Sequence, residues 1–100
     1  MAVNRRKDFK MKKINLLGIN VKCHNKREEI LIDIIKRDVK DFYRTYKNKR
    51  YSIGDAYYML RGKITTLYYM ELINYENYEI MTNRFFELYR FTRNIAENNK

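Results

Sequence analysis

Four basic side chains recur at helical spacing and could hold a row of phosphate groups. Lys36, Lys40, Arg44 and Lys47 are separated by four, four and three residues. On a helix this spacing places them on one side, one turn above another. Aromatic residues lie between them, and the stretch from 36 to 50 holds seven basic residues against two acids. We call these four residues the basic ridge, and their chemistry predicts binding to a polyanion.

The distribution of charge supports a binding surface in the N-terminal half. The formal net charge of the 100 residues is +10. Residues 1–53 hold 16 Lys and Arg against 6 Asp and Glu, whereas residues 54–100 hold six of each. Nucleic acid, an anionic membrane surface and an acidic protein all suit such a charge, and a basic surface kept for solubility is the simpler alternative. Solubility alone gives no reason to collect the excess at one end of the chain.

Nucleic acid, and duplex DNA in particular, is the partner we predict for this half. The predicted nucleic-acid-binding residues combine the basic N-terminal segment, one position near residue 20 and the region of the ridge. They are Arg5, Arg6, Lys7, Lys12, Lys13, Lys22, Lys36, Lys40, Arg44, Lys47, Lys49 and Arg50. Tyr43, Tyr46 and Tyr51 lie in the same region, where stacking on bases is an alternative to packing.

Catalytic chemistry finds little support in the residue types. Cys23 and His24 are the only cysteine and histidine. Neighbours in a strand point to opposite faces, so this pair does not predict Cys–His catalysis. A single cysteine provides neither a disulfide nor a cysteine-based metal site. We expect no enzyme activity, cofactor or metal, although the carboxylates between residues 28 and 41 leave a two-metal nuclease as a minor alternative.

The predicted elements place the basic residues ahead of a neutral helical pair. Residues 1–13 are expected to be a flexible basic arm, and residues 14–100 a single domain with helices at about 26–47, 54–72 and 75–96. Residues 14–23 alternate like a strand that pairs with a second chain, folds back at Gly18 or does not form. We therefore predict a mainly α protein: a small three-helix domain with a C-terminal antiparallel helical hairpin, preceded by a basic arm and one short β-strand.

Capping residues and one glycine give finer expectations for the helices. Asn25, with Glu28 three residues later, predicts the start of the first helix, and Ser52 and Asn74 are predicted to cap the second and third. Gly62 lies in the middle of the second helix, where it costs up to about 1 kcal/mol relative to Ala. A close crossing by another helix would explain it.

The tyrosines of the second helix offer a protein interface. Two Tyr pairs stand 11 residues apart, about three helical turns, so that each pair repeats on one side. The predicted interface residues are Tyr57, Tyr58, Tyr68 and Tyr69, and packing at the edge of the core is the alternative.

Two functions remain open at this stage. The first is a DNA-binding accessory or regulatory protein, with the helical hairpin supplying dimer contacts. The second is an inhibitor or adaptor that binds another protein, for example in a host defence nucleoprotein complex. The abundance of Lys, Ile, Asn and Tyr indicates an AT-rich genome, such as that of a phage or plasmid of a low-GC bacterium. A cytoplasmic location is expected, and no apolar run of about 18 residues predicts a membrane span.

If residues 14–23 pair with their counterpart in a second chain, the order strand, helix, helix resembles that of ribbon-helix-helix repressors. In that family the paired strands enter the major groove of DNA, and the resemblance implies that Asn20 and Lys22 face the bases. It covers about half of the chain and rests on the order of elements. The first helix is longer than the pattern requires, and Gly18 interrupts the strand.

Overall fold

The computed structural model describes residues 9–98, and in this part of the chain a β-hairpin precedes three helices. The elements are β1 (Lys12–Leu16), β2 (Ile19–Cys23), α1 (Lys26–Tyr46), α2 (Ile53–Tyr69) and α3 (Tyr75–Asn98). The predicted mainly helical three-helix domain is confirmed, and the β element is a pair of strands where a single strand was expected.

The hairpin forms because the chain folds back at Gly18. β1 and β2 pair antiparallel in a register that sets Lys12 opposite Cys23 and Leu16 opposite Ile19. Leu17 and Gly18 both have positive φ, as a two-residue hairpin turn of type I′ requires. Of the three alternatives for residues 14–23, the strand therefore pairs within its own chain. The pairing with a second chain, on which the resemblance to ribbon-helix-helix repressors depends, is replaced by this hairpin.

The start of β1 corrects the predicted extent of the basic arm. β1 begins at Lys12, so the last two arm residues belong to the sheet. Every second residue of the strand faces inward, and Ile14 and Leu16 pack against the helices while Lys13 and Asn15 stay exposed. A basic composition hid this alternation. Residues 1–8 of the predicted arm lie outside the described residues.

Two of the three predicted helix caps are present as hydrogen bonds. The Asn25 side chain accepts from the backbone N–H of Glu28 at 2.9 Å, and the Asn74 side chain accepts from the N–H of Asn77 at 2.8 Å. The Glu28 carboxylate accepts from the N–H of His24, one residue before the cap. Ser52 occupies the cap position of α2 with φ of +85°, but its side chain makes no capping bond, so that expectation is wrong.

The core lies where the apolar stripes of the three helices meet the inner face of the hairpin. In α2 the buried positions recur every three or four residues and form one stripe: Ile53, Tyr57, Leu60, Ile64 and Leu67. Phe42 of α1 meets Phe85 of α3 edge to face, with ring centroids 5.1 Å apart. Each such fully buried side chain contributes about 1.5–3 kcal/mol relative to its exposed state.

Ring contacts fix the direction of the last two helices. Tyr57, near the start of α2, stacks on Tyr89 late in α3, with centroids 4.3 Å apart. Tyr68, near the end of α2, stacks on Tyr78 early in α3 at 5.2 Å. The two helices therefore run antiparallel, as predicted from the short connection between them. Across residues 9–98, no helix is both long and apolar enough to cross a bilayer.

Gly62 does not lie at a helix crossing. It is exposed in the middle of α2, and a Cβ built on it would meet no atom within 4 Å. The expectation of a close crossing is therefore wrong, because the residue faces away from both neighbouring helices.

Candidate nucleic-acid interface

The basic ridge lies on the flank of α1. The buried stripe of the helix consists of Ile32, Ile35, Val39 and Phe42. At 100° per residue, the centre of the ridge is roughly 115° around the helix axis from the centre of this stripe. Lys36 and Lys40 therefore lie outside the buried stripe, and both are exposed. The apolar stripe thus fixes which way the ridge points.

The acids near the ridge leave its first two lysines without an ion pair. Asp38 lies on another side of α1, where its carboxylate contacts the Lys63 ammonium of α2 at 3.2 Å. Asp41 lies 3.7 Å from the guanidinium of Arg44, its own neighbour one turn later. Within residues 9–98, Lys36 and Lys40 form no salt bridge. Their charge is available to an external anion.

Glu29 ties the hairpin to the side of α1 that carries the ridge. It precedes Lys36 by seven residues, or two helical turns, and therefore lies in line with the ridge. Its carboxylate accepts hydrogen bonds from the Lys12 ammonium of β1 at 2.8 Å and from the Lys26 ammonium at 3.0 Å. Lys12 therefore anchors the start of β1 to α1 at a position two turns before Lys36.

The ion pair between Lys12 and Glu29 shifts the pKa of both groups. Glu29 is 8% exposed. The hydrogen bond from Lys12 lowers the pKa of Glu29 below its ordinary value, with a further contribution from Lys26. The same hydrogen bond raises the pKa of Lys12. Lys12 was predicted to bind nucleic acid, but its ammonium is engaged within the protein and acts first as an anchor for β1.

The outer face of the hairpin is polar and basic. Its exposed side chains are Lys13, Asn15, Asn20 and Lys22, which we call the ribbon face. Lys13 is directly opposite Lys22, and Asn15 is opposite Asn20. Like charges at directly opposite positions destabilise a sheet. No salt bridge in the described residues compensates this pair, so folding alone does not account for it.

Asparagine side chains fix the shape of the ribbon face. The Asn15 carbonyl oxygen accepts from the backbone N–H of Gly18 at 3.2 Å, and its amide donates to the Asn20 side-chain oxygen at 3.2 Å. The guanidinium of Arg84 in α3 donates to the Leu17 carbonyl oxygen, which holds the turn against the helical layer. The hairpin is thereby fixed at its turn and, through Glu29, at its open end.

The basic side chains that follow α1 lie over aromatic rings of the same protein. The Lys47 ammonium lies over the Tyr43 ring, 5.5 Å from its centroid, and Lys49 lies over Tyr46 at 6.0 Å. Tyr43 also contacts Phe91 of α3, with centroids 5.4 Å apart. These tyrosines pack within the protein. Of the three tyrosines considered for stacking on bases, Tyr51 is the one that is widely exposed, at 86%.

The remaining predicted site residues lie in several different parts of the chain. Arg5, Arg6 and Lys7 lie outside the described residues, and Arg50 is exposed in the connection after α1. Among the predicted interface tyrosines, Tyr57 is a core residue with 5% exposure, so its assignment to an interface is wrong. Tyr68 is half-buried against Tyr78.

Tyr58 and Tyr69 are 67% and 77% exposed and remain available to a partner. Adjacent residues of a helix point about 100° apart, so the two members of each Tyr pair do not share an environment.

Cys23 and His24 are neighbours in the chain, but their side chains lie in different environments. The Cys23 side chain is buried in the core, and burial raises the pKa of its thiol. His24 is exposed, and its Nδ1 lies 3.1 Å from the Glu28 carboxylate. No group of three or more His, Cys, Asp or Glu residues that could hold a metal ion occurs in the part of the chain from 9 to 98.

Sequence reasoning missed two residues that build this surface. Asn15 lies in the predicted strand 14–23 but was not among the predicted site residues, although it alternates with Ile14 and Leu16. Glu29 was considered only as one of the carboxylates between residues 28 and 41. Its position two turns before Lys36 was the available signal that it lies in line with the ridge.

In comparisons with protein-family models, curated proteins and solved structures, no match to this chain was found.

Proposed function

We propose that the protein binds duplex DNA through a surface made of the ribbon face and the basic ridge, which we call the basic front. One observation carries the proposal. Lys13, Lys22, Lys36 and Lys40 are all exposed and form no salt bridge within residues 9–98, and Lys12 anchors the hairpin to α1 at Glu29, in line with the ridge. Such a set of exposed cations suits a phosphate backbone.

The two parts of the basic front suit different parts of a duplex. The major groove is roughly 12 Å wide and admits a two-stranded β-ribbon. Asn20 and the two lysines of the ribbon face would contact base edges there, since Asn pairs with adenine and Lys with guanine. The ridge would contact phosphates and fix the orientation of the protein. Arg5, Arg6 and Lys7 would add phosphate contacts.

The biological setting follows from composition and size. A small basic protein from an AT-rich genome suits an accessory or regulatory protein of a mobile element, such as one that acts in transcription. A free, buried cysteine suits a reducing compartment, and we propose the cytoplasm.

A matched pair of variants tests the proposal. Lys36→Ala with Lys40→Ala removes two charges from the basic front, whereas Lys63→Ala with Arg90→Ala removes two from α2 and α3. Fluorescence anisotropy with a labelled duplex at low salt should show binding by the wild type, a clear loss for the first variant and little change for the second. Equal losses would mean that only net charge matters, and no duplex binding by the wild type would refute the proposal.

A second candidate function rests on the large exposed side chains of α2. Tyr58, Met59 and Tyr69 are all more than half exposed, and Tyr is enriched at protein interfaces. An inhibitor or adaptor would use this face to bind a protein. A stoichiometric complex recovered by wild-type protein, and lost with Tyr58→Ser and Tyr69→Ser, would support this function. Recovery of nucleic acid alone would count against it.

A further inference from the structure

A second polar surface lies in the half of the chain whose net charge is zero. A groove of about 410 Å³ runs between α2 and α3, and its lining comes from these two helices alone. The side chains along it are those of Tyr57, Tyr58, Arg61, Thr82, Asn83, Phe86, Tyr89 and Arg93. None of them belongs to the basic front, so this groove is a separate surface.

The charges that line the groove are of one sign. Arg61 and Arg93 are both exposed, and no carboxylate is among the lining residues. Glu97 approaches Arg93 from outside the groove, but the two groups are 3.9 Å apart, which makes a weak contact at an exposed position. Within the described residues Arg61 forms no salt bridge, and its guanidinium interacts with the Tyr57 hydroxyl. Neutrality over the whole half of the chain therefore conceals a local excess of positive charge.

The antiparallel helices separate the two arginines along the groove. Tyr57 and Tyr89 stack on each other in the middle. Arg61 follows Tyr57 by one turn and Arg93 follows Tyr89 by one turn, in opposite directions. The Cα atoms of the two arginines are therefore about two helical turns, or ~11 Å, apart along the groove. Asn83 and Thr82 lie toward the end that holds Arg61.

Aromatic rings form the middle of the groove. Tyr57 is buried and forms the floor, held by contacts to Tyr89, Phe86 and Tyr58 at centroid distances of 4.3, 6.1 and 5.1 Å. Tyr58 and Phe86 are exposed at the walls. The Arg93 guanidinium lies over the Tyr89 ring, 5.3 Å from its centroid. Tyr57 is stacked between Tyr89 and Phe85, so an aromatic ligand would contact the exposed Tyr58 and Phe86 rings at the walls, and its charged end would meet a guanidinium.

We propose that this groove binds a nucleoside phosphate, with the base against the aromatic middle and the phosphate at the Arg61 end. Arg61 supplies a planar guanidinium that can bond two phosphate oxygens, and the Asn83 amide supplies a further donor. Bases of every kind stack on aromatic side chains, so the site selects the chemical class more than the base. The ligand is either a free nucleotide or a nucleotide within a single strand. This site is independent of the proposed DNA-binding surface.

Titration of the full-length protein with adenosine monophosphate, followed by amide chemical shifts, tests the proposal. Saturable shifts are expected at residues 57–61 and 82–93. Adenosine and inorganic phosphate, tested separately, should each bind at least about tenfold more weakly, because each retains only one of the two contacts. No saturable shift in the groove up to the solubility limit, or shifts confined to residues 12–50, would overturn the proposal.

Variants distinguish binding in the groove from a general effect of positive charge on binding. Arg61→Ala should weaken binding of adenosine monophosphate about tenfold. Lys63→Ala removes one charge from the same helix outside the groove and should leave binding unchanged. Lys36→Ala with Lys40→Ala should also leave it unchanged, so that this site and the basic front can fail separately. Equal losses for Arg61→Ala and Lys63→Ala would overturn the assignment.

A short single-stranded oligoadenylate distinguishes the two sources of the ligand. If it shifts the same groove residues and binds at least about tenfold more tightly than the mononucleotide, the site holds a nucleotide within a strand. If its affinity per nucleotide is no higher, the site holds a free nucleotide.

Discussion

Lys22→Glu should stabilise the fold while weakening DNA binding. In the native hairpin Lys22 is directly opposite Lys13, and both are exposed. The substitution replaces repulsion between like charges with a cross-strand ion pair. Opposite-charge pairs contribute roughly 0.2–1 kcal/mol, and exposure keeps the gain toward the lower end. Removal of the repulsion adds a similar amount, so we expect a total of about 0.5–1 kcal/mol.

The change should appear as an opposite response in two assays. For a domain of this size, about 0.5–1 kcal/mol corresponds to a rise in Tm of roughly 2–8 °C at low salt. The rise should shrink as salt screens the pair. Duplex affinity should fall, because the ribbon face loses a cation and gains an anion. Thermal unfolding by circular dichroism and anisotropy with the same protein preparation measure the two effects.

Two outcomes would refute this reasoning. A lower Tm would mean that Lys22 stabilises the hairpin in a way that the register does not account for. A higher Tm with unchanged duplex affinity would mean that the ribbon face does not contact DNA. For duplex affinity, Lys63→Glu makes the same change of charge in α2 and is the control for net charge.

Three further predictions concern stability and reactivity. Gly62→Ala should stabilise the protein by about 0.5–1 kcal/mol in urea unfolding, because the position is helical and open. Gly18→Ala should destabilise it, because φ is +84° and a Cβ would collide with Arg84. A Gly62→Ala protein less stable than Gly18→Ala would contradict the structure. The pKa of Glu29 is lowered in the folded state, so its contribution is present above its ordinary pKa and is lost as pH falls through the folded value. Glu29→Gln should therefore flatten the acid limb of the stability curve, and an unchanged limb would contradict the Lys12 anchor. Cys23 is fully buried and its pKa is raised, so alkylation by iodoacetamide should be slow until the protein is unfolded, and equal rates in native and unfolded protein would contradict its placement.

The helices were predictable because their determinants are local. A cap such as Asn25 and an apolar residue every three or four positions define a helix without reference to the rest of the chain. The buried positions of α2, three or four residues apart, follow this rule. Ser52 shows the limit of the approach, since its residue type suits a cap but its positive φ turns the side chain away.

The hairpin and the two surfaces depend on contacts between distant residues. Lys12 looks like part of a basic arm until its partner Glu29, 17 residues later, is known. Arg61 and Arg93 belong to different helices, and only the antiparallel packing brings them to one groove. A sequence pattern specifies the faces of each element, whereas the pairing of those faces requires the folded chain.

The salt dependence of duplex binding tests the basic front most directly. The slope of log K against log salt concentration should be steep and negative for the wild type, because bound phosphates release counterions. Removal of Lys36 and Lys40 should reduce its magnitude by about two, since each phosphate contact contributes about 0.9. Replacing Lys63 and Arg90 should leave it unchanged. A wild-type slope near zero, or equal reductions in both variants, would contradict the account.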